Sequence, residues 1–183
     1  AAMLEEGSSK RDPKTIIEKI AFSAARMSQL ISDLLAFSRL IQPEKSLQTI
    51  DLAETTKNVW HDFELAAAEK KAEMSTENLP VIQAVGLQMN QLFYNLVSNS
   101  LKFVNPDIAP QIKISSVLVS HDDVARFTNS PLLGVNYYHI IFSDNGIGFE
   151  KDHEDQIFEI FKRLHVQTIF PGSGIGLALC RRI

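Results

Sequence analysis

The sequence predicts an α+β fold, in which a long amphipathic helix leads into a domain of mixed helices and strands. Three observations predict it. Small or apolar residues recur at Ile20, Ala24, Met27, Ile31, Leu34, Ser38 and Ile41, alternately four and three apart, as on a heptad seam. Apolar residues at Ile112, Ile114, Val117 and Val119 alternate with their neighbours in the manner of a half-buried strand. The stretch 91–103 carries amides and a lysine along one helical face and Phe93, Leu96, Val97 and Leu101 around the remaining arc.

In chain order, residues 1–6 read as a helical remnant and 7–11 as a loop. Asp12-Pro13 supplies an N-cap and a proline at the first helical position. The helix that follows ends before Pro43 and is roughly 43 Å long. Ile17, Leu30, Leu35 and Phe37 widen its stripe beyond a two-stranded seam. Such a surface needs partner helices from a second chain, or else packing within one chain. The proline-bearing linker at 42–46 places the domain boundary, giving units 1–42 and 43–183. Residues 47–50 suit a strand. Asp51 caps a helix that carries Val59, Trp60, Phe63 and Ala67 on one face and runs to about Lys71. Residues 73–76 and 81–84 are short strands, and the amide-bearing helix runs to about 105. A strand at 111–120, a loop at 121–133 and a strand at 137–142, apolar enough to be central, come next. Residues 151–165, with Ile157, Phe158, Ile160, Phe161 and Leu164, suit a short helix. A last helix opens after the glycines at 172–176.

Composition excludes several classes. A formal net charge of -4 argues against a nucleic-acid binder that relies on a basic surface. One cysteine, Cys180, forms no intrachain disulfide, which favours a reducing, cytoplasmic setting. The first residues carry two glutamates where a signal peptide carries bases. No apolar run approaches the roughly 20 residues of a spanning helix, so no membrane contact is expected of this stretch.

The chemistry-bearing residues fall in three segments. Asn95, Asn99 and Lys102 stand at i, i+4 and i+7 of one helix. Amide oxygens are hard ligands suited to Mg²⁺, and a lysine meets phosphate as a point charge. A solvated polar face is the plain alternative. Asp144-Asn145-Gly146-Ile147-Gly148 leaves the end of a strand, where a carboxylate can accept from an amine while glycines let the backbone come close. Alone, this pattern also serves as an ordinary turn. Gly172-Ser173-Gly174-Ile175-Gly176 opens a helix, whose first N–H groups and dipole attract an anion. It has neither the lysine of a Walker loop nor the spacing of a dinucleotide fingerprint, and a glycine hinge is its alternative.

Taken together, the three segments resemble the nucleotide site of sensor histidine kinases, within the group that includes gyrase, Hsp90 and MutL. The asparagine helix resembles the N box, and the two glycine segments resemble the two glycine boxes. Residues 157–165 resemble the phenylalanine-containing box of the ATP lid, and 26–39 the second helix of a dimerisation domain. The resemblance covers nearly the whole chain. It implies a two-layer α/β sandwich of the Bergerat type, preceded by a helical hairpin that forms a four-helix bundle in a homodimer through residues 13–41. It implies ATP and Mg²⁺ as ligands and a response-regulator receiver domain as a partner.

The resemblance also implies roles. Asp144 would accept from the adenine amine, with Gly146 and Gly148 allowing close approach. Asn99 would hold Mg²⁺ with Asn95 alongside, Lys102 would touch phosphate, and Phe103 would line the pocket. Gly172, Ser173, Gly174, Gly176 and Leu177 would form the phosphate-side turn, and Lys162 or Arg163 would approach phosphate as the lid closes. Hydrolysing members of the group carry a glutamate one turn before the metal asparagine; here that residue is Asn95, which is no base at neutral pH. Transfer of phosphate is therefore expected over hydrolysis. A dimeric scaffold with a vestigial site and an ATPase of the wider group are the alternatives. The pattern departs from the family in three respects. His61, His121, His139, His153 and His165 all lie outside the dimerisation helix, so the acceptor is expected upstream of Ala1. Two strands that usually follow the last helix are also missing from the sequence, and Ser173 stands where threonine is frequent.

Overall fold

The computed structural model describes residues 14–17, 20–24, 27, 28, 31, 46–124, 134–162 and 173–183. The described residues before 46 are helical and together are termed α1. Their apolar side chains lie open: Ile20, Met27 and Ile31, three positions of the heptad seam, are 63%, 58% and 59% exposed.

From Gln48 the elements are β1 (Gln48–Asp51), α2 (Leu52–Asp62), α3 (Glu64–Lys70), β2 (Glu73–Glu77), β3 (Val81–Ala84), α4 (Gly86–Lys102), β4 (Gln111–Val119), α5 (His121–Val124), β5 (Tyr137–Asp144) and α6 (Gly176–Arg182). Asp51 caps α2 as expected, its carboxylate accepting from the N–H groups of Ala53 and Glu54 at 2.8 and 3.2 Å. The expected single helix to Lys71 is instead two. It breaks at Phe63, with backbone angles of -103° and 8°, and restarts as α3, which Lys71 ends in the left-handed conformation.

Two sheets form among the described residues. β1 and β3 make an antiparallel ribbon, and β4 lies between parallel β2 and antiparallel β5. The apolar run at 137–142 is therefore not a central strand among the described residues: β4 is central and β5 lies beside it. The alternation on β4 holds at Ile112 and Ile114, which are buried on either side of exposed Lys113, but not at Val117: it falls on the opposite face and is exposed, while Ser116 is buried on the face of the isoleucines. Those isoleucines form one core with Leu52 and Val59 of α2 and Phe93, Val97 and Leu101 of α4. Helices thus cover one face of the three-stranded sheet, giving the two layers that the sequence suggests.

Three further boundaries differ from expectation. α4 ends at Lys102, not 105, because Phe103 leaves the helical conformation. The supposed loop from 121 begins with the single turn α5. Residues 151–162 form two 3₁₀ turns, Lys151–His153 and Gln156–Phe158, in place of a helix. Of the apolar set, Ile160 and Phe161 are exposed there and only Ile157 and Phe158 are half-buried, while 163–165, the end of the expected helix, lie outside the described residues.

Candidate nucleotide site

The site is built on α4. Asp144, the last residue of β5, pairs across the sheet with buried Ile112, so its side chain leaves on the helix-covered face. There its carboxylate meets two donors. Gly146 N–H donates to Oδ1 at 2.8 Å, and the Ser100 hydroxyl of α4 lies 2.9 Å from Oδ2. Gly146 is a glycine because of proximity: a Cβ there would sit 2.6 Å from Phe103 O and 2.8 Å from Asp144 Oδ1. Ile147 N–H donates to the same Phe103 carbonyl at 3.0 Å, joining the loop to the end of α4. Asn145 fixes the other side. Its Oδ1 accepts from Gln111 N–H at 2.8 Å, and its Nδ2 donates to Ala109 O at 3.0 Å. Gly148 has φ +63°, a conformation that favours glycine.

Along α4, Asn95, Asn99 and Lys102 do not share one environment. Asn95 Oδ1 accepts from Gln91 Nε2 at 3.1 Å, while its Nδ2 is buried without a hydrogen-bond partner. Its side chain lies against Gly176, where a Cβ would stand 3.7 Å from Asn95 Cγ. Asn99 is half-buried one turn later. Lys102 Nζ lies 4.4 Å above the Phe103 ring, a cation–π contact at the helix end.

α6 packs on α4 near Asn95. Gly174 precedes it with φ +77°, and Gly174 O accepts from Phe161 N–H at 2.9 Å. Ser173 Oγ accepts from Ile175 N–H at 3.3 Å, and Leu177 is half-buried. Cys180 Sγ reaches 4.0 Å from Leu92 O. Burial pushes the Cys180 thiol up to about 11, against a smaller opposing influence of the Asn95 side chain. Lys162 is exposed and 4.0 Å from Glu159. Arg163 and Gly172 lie outside the described residues.

The structure thus joins Asp144 and Gly146 to the C-terminal end of α4, and Gly176 to its middle. Sequence reasoning gave no role to Ser100 or Asn145. Ser100 was detectable: it falls three residues after Val97, on the apolar arc, where a buried hydroxyl needs a partner. The donor set suits a magnesium-bound nucleotide. It offers a carboxylate at the surface, a hard amide oxygen at Asn99 and an ammonium at Lys102.

Two layers of helix on sheet, with a strand-end Asp-x-Gly-x-Gly joined to an asparagine helix, define an ATP-binding class. Residues 84–183 match the family described as histidine kinase-, DNA gyrase B- and HSP90-like ATPases. The chain belongs to that family. Within it, the chain is 32% identical over 157 residues to Cyanobacterial phytochrome A of Nostoc sp., covering 86% of this chain and 18% of that protein. Among solved structures, full-length ShkA in complex with AMPPNP superposes with a TM-score of 0.61 at 26% identity, covering 94% of this chain and 34% of that one. The Acinetobacter baumannii histidine kinase AdeS shares the fold, with a TM-score of 0.64 at 19% identity over 96% of this chain and 75% of that one. The chain spans about a fifth of the length of the first curated relatives that it matches.

Proposed function

We propose that this chain is the ATP-binding core of a sensor histidine kinase, which holds Mg-ATP and donates the γ-phosphoryl group to a histidine outside this sequence. From there the group passes to a response-regulator aspartate. The single observation that carries this reading is the Asp144 carboxylate, oriented from two sides at the edge of an asparagine-bearing helix. The AMPPNP complex of ShkA, a 26%-identical protein, supports adenine nucleotide as the ligand.

Asp144 accepts from the adenine amine. Gly146 and Gly148 let the base lie close to the loop. Asn99 offers its amide oxygen to Mg²⁺, which supplies charge neutralisation at the phosphates when bound. Lys102 adds a further positive charge, and Phe103 lines the pocket. Gly172, Ser173, Gly174, Gly176 and Leu177 form the turn on the phosphate side, with Arg163 approaching from the lid. Asn95 cannot remove a proton from water, so the site holds its nucleotide for transfer. Catalysis here is positioning and charge compensation.

Units 1–42 and 43–183 divide dimerisation from nucleotide binding. The exposed Ile20, Met27 and Ile31 suit a homodimer through helix 13–41, and a receiver domain is the downstream partner. No helix among the described residues is long and apolar enough to cross a membrane. A cytoplasmic location accords with the ATP supply that the reaction needs.

Calorimetric titration with ADP and ATP, with and without magnesium, tests the reading. The chain is expected to bind both, and Asn99→Ala to remove the magnesium-dependent part of the affinity. A folded chain indifferent to both nucleotides refutes it. An Asn99→Ala variant with unchanged magnesium dependence removes Asn99 from the metal role.

A further inference from the structure

We propose that Ser100 is a positioning residue for base selection, acting through Asp144; the proposal rests on the nucleotide reading above. Ser100 is 3% exposed, and its hydroxyl stands 2.9 Å from Asp144 Oδ2 and 3.0 Å from Leu96 O. A hydroxyl has one proton, so it donates to one of these at a time. The carboxylate is the stronger acceptor. Gly146 N–H holds the other oxygen at 2.8 Å. With a donor on each oxygen, supplied by two different elements, rotation of the carboxylate about Cβ–Cγ is stopped. That torsion is otherwise broad. Each oxygen keeps a lone pair, and these point in a fixed direction towards an incoming amine. Ser100 therefore acts on the base without touching it.

A structural role alone predicts something different. Asp144 is exposed, so water replaces a lost hydroxyl at Oδ2, and removing Ser100 Oγ creates little strain. What Ser100 supplies is orientation, which only a ligand with the matching donor can sense. The discriminating probe is purine riboside diphosphate, which carries hydrogen where adenine carries its amine.

The experiment is calorimetric titration of the wild-type chain, Ser100→Ala and Ser100→Thr with magnesium and either ADP or purine riboside diphosphate, thermal unfolding being recorded for each. The wild type is expected to prefer ADP. Ser100→Ala is expected to bind ADP about five- to tenfold more weakly and the deaminated probe unchanged, a loss of the size of one ordinary net hydrogen bond, because the carboxylate stays in place and loses only its orientation. Ser100→Thr keeps the hydroxyl and is expected to retain the preference. Equal losses on both ligands overturn the proposal, as does an unchanged ADP affinity in Ser100→Ala. Should Ser100→Ala fail to fold, a folded Ser100→Thr without the ADP preference overturns it, and one with the preference supports it. A wild type that binds neither ligand refutes the nucleotide reading, and this inference with it.

Discussion

Replacing Gly146 by alanine tests the join between the loop and α4 directly. The added methyl would lie 2.6 Å from Phe103 O and 2.8 Å from Asp144 Oδ1, distances that real Cβ atoms do not tolerate. The first obstacle is backbone and cannot rotate aside, so the loop must move. Its movement breaks the 3.0 Å bond from Ile147 N–H to Phe103 O and the 2.8 Å bond from Gly146 N–H to Asp144. Overpacking costs about 1–3 kcal/mol, and each lost bond about 1 kcal/mol where water does not replace it. With both bonds lost, a total of about 3–5 kcal/mol corresponds to a fall in Tm of about 6–20 °C for a chain of this size. The carboxylate also loses one of its two orienting donors, so ADP affinity should drop by about tenfold. Gly148→Ala is the matched control. It meets no atom within 4 Å but must adopt φ +63°, at about 1–2 kcal/mol, and leaves Phe103 and Asp144 untouched. Differential scanning calorimetry and ADP titration of both variants read the two effects separately. A Gly146→Ala variant that melts with the wild type and binds ADP equally refutes the steric argument.

Two further outcomes follow from local chemistry. Asp51→Ala removes the acceptor for two N–H groups at the start of α2 and should cost about 1 kcal/mol in urea unfolding; no change would show that water caps the helix as well. Cys180 should alkylate about 100-fold more slowly at pH 8 than an ordinary thiol, since burial raises its pKa from 9.0 to about 11. The same shift makes stability flat below about pH 9 and falling between about 9 and 11, where the unfolded thiol has lost its proton and the folded one has not. Labelling as fast as that of a small thiol, or stability unchanged across that range, would remove the burial of Cys180 from the account.

Legibility in the sequence tracked the kind of physics involved. The strand at 111–119 was readable because one face meets the helices and the other meets solvent, so Ile112 and Ile114 stand out against Lys113. The cap at Asp51 was readable because it is settled within three residues. The break at Phe63 was not, since the apolar face runs straight through it from Val59 to Ala67 and no glycine or proline marks the spot. The run at 137–142 looked central because Ile140 and Phe142 join the core while Ile141, between them, is exposed on the opposite face. For the site, motif spacing named Asp144 and Gly146, but Ser100 depends on a contact 44 residues away along the chain. Asn95 was grouped with Asn99 and Lys102 by helical spacing, yet its surroundings are Gln91 and the start of α6.

The C-terminal end of α4 has no glycine of its own to close it. Lys70 Nζ of α3 donates to Leu101 O at 2.6 Å, and Ile147 N–H takes Phe103 O. What a left-handed glycine does elsewhere within two residues is done here by groups 31 and 44 residues away. Within the turn, Phe103 N–H donates to Asn99 O at 2.8 Å, but the carbonyls of Leu101 and Phe103 depend on those remote groups. The loop that finishes the helix is also the loop that holds Asp144, so the end of α4 and the direction of that carboxylate are set by the same few bonds.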